Sequence, residues 1–148
     1  MPKSKANTGY LATFSVGDDT VSPISYVAIA EIASIKPSNY SVPSIDTTHL
    51  QSPNATEEMI PGLLKPGTIA LTGNFTGDAT QLNITTLAEA QTVFPWKITA
   101  RVNNKTQVYT ATGYGFVAKY DTGPFEPNKK IDFTADFQIT GTITETVV

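Results

Sequence analysis

No cysteine occurs among the 148 residues. That excludes disulfides, thiolate nucleophiles and cysteine-ligated zinc, and it fits a protein kept in a reducing cytosol better than a disulfide-stapled secreted one. Histidine is nearly absent as well. The single one, His49, rules out a two-histidine metal site. The carboxylates that follow it, Glu57 and Glu58, lie across a proline-containing stretch instead of at a fixed helical spacing. Basic charge is scarce: 10 Lys and Arg against 13 Asp and Glu leave a net charge of −3, so the chain lacks the global field that holds nucleic acid by counterion release. No run of about 18 apolar residues offers a membrane-crossing helix. The opening MPKSKANTGYLATF has no apolar stretch long enough for a secretory signal, so a soluble chain without an export signal is expected.

Sequences that carry catalysis are missing too. There is no G-x-S-x-G elbow for an activated serine, no Walker sequence and no G-x-G-x-x-G. The Gly-Tyr-Gly at 113–115 reads as strand geometry. The doublets Asp18-Asp19 and Glu57-Glu58 are adjacent residues, which on a strand point to opposite faces and cannot form a matched acid and base. They read as solvated loop charges. No residue set supports an enzyme, a metal or a cofactor. The five Asn-x-Ser/Thr triplets, at Asn39, Asn54, Asn74, Asn83 and Asn104, read as by-products of a threonine-rich chain.

What is present is a folded composition, 40% hydrophobic and 16% charged, in a chain long enough to bury about two thirds of its unfolded surface. Residues 1–8 are polar and basic, which predicts a flexible arm. The aromatic and β-branched stretch Tyr10 to Val16 predicts a strand ended by Gly17-Asp18-Asp19. ISYVAIAEIASI, 24–35, is apolar on both faces. Its periodicity leaves a helix possible, but its β-branched content favours one strand covered on both sides. A shorter strand at 42–50 is interrupted by Pro43. The polar, proline-rich stretch from 51 to about 66 predicts a long loop, and Met59, Ile60, Leu63 and Leu64 within it are apolar residues in an exposed segment, which suggests a partner.

Thr68 to Phe75 alternates as a half-buried strand does. Asp78 then caps a helix of about 13 residues with Gln81 in a variant capping box and Ile84, Leu87, Ala88 and Gln91 at helical spacing. WKITARV, turned by Asn103-Asn104-Lys105 into TQVYTATGYGFVAKY, predicts a hairpin whose Gly113 and Gly115 mark a bulge or bend. In IDFTADFQI, 131–139, Ile131, Phe133, Ala135, Phe137 and Ile139 point inward and Asp132, Thr134, Asp136 and Gln138 outward. The sum is mainly β: an antiparallel sandwich or partly rolled barrel with one helix packed on it.

The order of these features carries a resemblance. Asp46, Thr48 and Ser52-Pro53 end a strand; Glu58 and Ile60-Pro61-Gly62-Leu63 close an acidic loop; Gly67 and Gly73 to Phe75 frame the next strand; and D-F-T-A-D-F-Q-I-T-G forms the terminal one. Over Gly9 to Gly141 the chain resembles the major tail tube proteins of long, flexible-tailed bacteriophages. Some relatives carry an extra immunoglobulin-like domain, for which residues 9–148 leave no room. The resemblance implies a structural virion protein, assembled in the host bacterial cytoplasm, that forms hexameric rings stacked into a tube through which DNA passes without specific binding. It also implies tape measure, tail terminator and tail tip partners.

His49, Glu57, Glu58, Met59, Ile60, Pro61, Leu63 and Leu64 become the expected contact loop between subunits, joined by the 1–8 arm and ordering on assembly. Asp132, Thr134, Asp136 and Gln138 become candidates for the lumen, where acidic or neutral groups let a duplex slide. The same face could equally be merely solvated or meet the helix. Two other readings remain: a monomeric β-sandwich module binding a ligand through Trp96, Tyr114, Tyr120 or Phe125, and the inner tube of a contractile secretion system.

Overall fold

The computed structural model describes residues 3–148. In chain order its elements are β1 (Thr13–Asp18), β2 (Ser25–Ala28), β3 (Ile32–Pro37), β4 (Tyr40–Ser41), β5 (Ser44–Asp46), β6 (Met59–Pro61), β7 (Lys65–Pro66), β8 (Thr68–Asn74), α1 (Ala79–Ala90), β9 (Phe94–Val102), β10 (Gln107–Thr122) and β11 (Asp132–Val147). Seven strands form one sheet in the order β2-β1-β9-β10-β11-β8-β3, and every neighbouring pair is antiparallel.

The alternation in β11 builds the core as expected. Phe133, Ala135, Phe137 and Ile139 are buried, and so are their counterparts Ile69 and Leu71 on β8, Trp96 and Ile98 on β9, and Phe14 on β1. The Phe14 ring lies 5.0 Å from Phe137 and 6.4 Å from Trp96, with Phe94 edge-on to Phe137 at 5.7 Å. Such contacts add to area burial.

The two long strands are 16 residues each. Only the first part of β10, 107–115, pairs with β9, and only the first part of β11, 132–138, pairs with β8. The pairing of β10 with β11 slips register between Thr112 and Tyr114, at the expected bend. There Gly113 lies against the Trp96 indole, which a Cβ would meet at 2.9 Å.

The stretch 24–35 is not one doubly covered strand. It is two strands at opposite edges of the sheet, largely exposed, separated by Ile29 to Glu31. In a flat sheet six steps of about 4.8 Å would hold those edges roughly 29 Å apart, whereas three residues span at most about 11 Å. The sheet must therefore roll up. Glu31 makes the turn at φ +59°. The seam is stitched by the Ile29 N–H donating to the Phe14 carbonyl and the Asn74 N–H to the Glu31 carbonyl, both 3.0 Å. Gly73 is needed there, since a Cβ would sit 2.5 Å from the Glu31 oxygen.

Helix α1, 12 residues long, starts on Asp78, whose carboxylate accepts from the Thr80 N–H. Gln81 does not complete the expected capping box. Fully buried, it accepts from the Thr76 N–H (3.0 Å) and donates to the Ala30 and Asn74 carbonyls (both 2.9 Å), so the helix clamps the seam. The first strand also starts later than expected, at Thr13, leaving Tyr10 and Leu11 exposed before it.

Candidate assembly surfaces

The stretch expected as a strand at 42–50 followed by a loop is a two-stranded arm. β4 pairs with β7, and β5 pairs with β6 in the register Ile45↔Ile60. Pro43 interrupts the near side, and its carbonyl accepts from the Gly62 N–H at 2.7 Å. Every residue from 41 to 51 is exposed. Beyond Tyr40 the six residues 41–46 extend the arm by about 20 Å.

Its root is tight. The Ser38 N–H donates to the Thr68 carbonyl (2.7 Å) and the Gly67 N–H to the Asn39 carbonyl (2.9 Å). Only glycine fits at 67, because a Cβ would lie 1.7 Å from the Ser38 oxygen. Gln138, expected to face outward freely, gives its amide to the Gly67 carbonyl (3.1 Å). Tyr40 Oη accepts from the Ile143 N–H at 2.6 Å.

At the tip, Glu58 is the hub. Its carbonyl accepts from the Thr47 N–H (2.9 Å), its own N–H donates to Thr48 Oγ1 (2.8 Å), and Oε2 accepts from Ser52 Oγ (2.8 Å). His49 Nε2 stands 3.3 Å from that same Oε2. His49 Nδ1 accepts from the Gln51 N–H at 3.1 Å. The histidine thus folds a turn. Hydrogen bonds from Thr48 hold Asp46 below its ordinary pKa, a fold-back that Asp18 repeats with Thr20 and Asp78 with Thr80. Among the described residues no group of three or more His, Cys, Asp or Glu is placed to hold a metal.

The arm carries apolar side chains on both strands: Tyr40, Val42, Ile45 and Leu50 on the near side, which the sequence pattern did not single out, and Met59, Ile60, Leu63 and Leu64 on the far side, all exposed. Leu63 is 86% exposed. A lone two-stranded ribbon has no core of its own, and burying a fully exposed side chain such as Leu50 or Leu63 stabilises by about 1.5–3 kcal/mol, with less for those already half covered.

A second apolar surface was not legible in the sequence. Between α1 and the β1–β2 hairpin lies an open groove of about 870 Å³ lined by Val16, Val27, Ile29, Leu87, Val93 and Phe94 and bordered by Asp18 and Asp19. The outward row of β11 forms a third surface. Asp132 pairs with Lys130 (3.2 Å), Asp136 stands opposite Lys119 in the β10 register, and Lys119 lies 3.4 Å from Asp121. Each carboxylate there has a lysine beside it.

A family model described as lambda phage tail tube protein, TTP, matches residues 10–122. The chain belongs to that family. No curated protein matches it. Among solved structures, the chain is similar to a protein from the tail of an empty gene transfer agent particle refined with C6 symmetry, at TM-score 0.76 and 17% identity over 95% of this chain and 99% of that one. It is also similar to a chain of the anti-feeding prophage cap (TM-score 0.70, 13% identity, 100% and 95% covered) and to the SPP1 tail tube protein (0.64, 13%, 92% and 75%). At these identities the likeness is one of fold. The mainly antiparallel β architecture with one helix is shared with these tube proteins, and the family assigns this tail tube protein a structural role.

Proposed function

We propose that this tail tube protein assembles as hexameric rings stacked into the tube of a phage tail, a virion component built in the host cytoplasm, through which DNA is delivered. The observation that carries the reading is the projecting arm, whose apolar side chains remain exposed. The solved tail with C6 symmetry supports six as the ring number. The polarity of the subunit supports stacking: a surface that differs from its complement closes into a ring or continues as a filament. His49, Glu57, Glu58, Met59, Ile60, Pro61, Leu63 and Leu64 lie at the contact between subunits.

The outward face of β11, with Asp132, Thr134, Asp136 and Gln138, faces the lumen. The lysines beside its carboxylates leave little net field, so the duplex is neither held nor strongly repelled. The tube ends meet tape measure, terminator and tip proteins. Negative-stain electron microscopy at rising protein concentration tests the reading: rings or tubes of uniform diameter are expected, whereas a strictly monomeric protein overturns it.

A further inference from the structure

The ends of the subunit differ in charge as well as shape. Strand β1 separates them by about 20 Å along its six residues. Before β1, the segment 3–12 contains Lys3 and Lys5 and no carboxylate. It is held beside the β9–β10 turn, where the Lys5 carbonyl accepts from the Asn104 N–H (3.1 Å) and Asn7 Nδ2 donates to the Arg101 carbonyl (2.8 Å). Arg101 and Lys105 belong to the same end, around a small depression shared with Tyr10 and Leu11. Those two side chains stand 72% and 61% exposed. At the far end of β1 lies the α1 groove. The segments that build it, 16–29 and 79–94, contain no Lys or Arg and carry Asp18, Asp19 and Glu89.

We propose that the α1 groove is the receptor for the basic end of a second copy of this chain: Tyr10 and Leu11 enter between Val27, Leu87 and Val93, and Lys3 and Lys5 meet Asp18 and Asp19. The inference rests on the tube reading and deepens it by naming one donor and one acceptor. Opposite charge selects this donor. The hairpin tip, another exposed apolar element, carries Asp46, Glu57 and Glu58, and bringing like charges together at a contact is costly. Because donor and acceptor sit at opposite ends of β1, a copy engages its neighbour and presents the same pair onward, the geometry of an open head-to-tail polymer.

The absence of cysteine makes the test clean. The double variant Lys5→Cys/Asp19→Cys, treated with a short bismaleimide under assembling conditions, should give a ladder of covalent multimers, and a mixture of the two single variants should stop at dimers. Separately, Lys5→Glu should raise the concentration needed for assembly about tenfold at low salt, and adding Asp19→Lys should restore it. Four outcomes overturn the proposal: tubes that form without the cross-link, a cross-link closed within one chain, a ladder obtained instead from Leu50→Cys/Asp19→Cys, or a charge swap that fails to rescue. Unmodified protein that forms no rings or tubes would overturn the tube reading itself, so the two failures are distinguishable.

Discussion

The rolled body and the projecting arm are made of the same antiparallel pairing, yet they are stabilised by different things. In the body the central strands turn one face to a shared interior, with Phe14, Trp96, Phe133 and Phe137 nearly or wholly removed from water. In the arm, Ile45 and Ile60 face each other in register and both remain about half exposed. The body holds its own core. The arm is shaped by its tight root at Gly67 and by hydrogen bonds at its tip, and its apolar side chains stay exposed to solvent.

Substitutions separate the two regions. The largest expected loss of subunit stability is in the body: Phe137→Ala should cost about 3–5 kcal/mol in a denaturant titration, through lost transfer energy and the cavity left behind. Next comes the seam, where Gln81→Ala leaves the Thr76 N–H and the Ala30 and Asn74 carbonyls without their partner and should cost about 1–3 kcal/mol. In the arm the outcome inverts. Leu63→Asp should change subunit stability by no more than about 0.5 kcal/mol while abolishing rings and tubes by sedimentation and microscopy; normal polymerisation of that variant would show that the far strand of the arm is not an interface.

The smallest effect is that of pH. Asp18, Asp46 and Asp78 have folded pKa values lowered from 3.8, chiefly by side-chain hydrogen bonds from Thr20, Thr48 and Thr80. Their contribution is therefore complete above pH 3.8 and fades as pH falls through the lower folded values. Thermal melts between neutral pH and pH 5 should superimpose, with a modest drop appearing only at lower pH. Asp46→Asn should remove part of that drop at the arm tip without altering the body.

The same division explains what could be read from residues alone. Strict alternation in 131–139, the Asp78 cap and the Asn103-Asn104-Lys105 turn predicted elements that the structure contains, the first because a buried face enforces a period of two and the others because capping and turn formation are local. The stretch 24–35 misled because nothing in Ala30-Glu31-Ile32 signals a break. Glu31 takes a positive φ without a glycine, held by the seam hydrogen bonds rather than by local preference. Strand β11 runs on to Val147 through Thr140 to Thr146, where exposure on both faces blurs the alternation. Tyr40, Val42 and Ile45 were missed because serines and Pro43 break their spacing. Met59 to Leu64 stood out because a clustered apolar run in a polar stretch needs no regular period to be noticed. The α1 groove left no trace, since its walls come from segments distant in sequence.

Hydrogen exchange at residues 40–66, compared between the monomer and the assembled tube, tests most directly whether the arm is completed by neighbouring copies. Exchange of backbone amides reports local opening. The account predicts fast exchange of β5 and β6 in the monomer and about a hundredfold slowing in the tube, with β9 and the first half of β11 slow in both. Equal protection of the arm in the two states would contradict it.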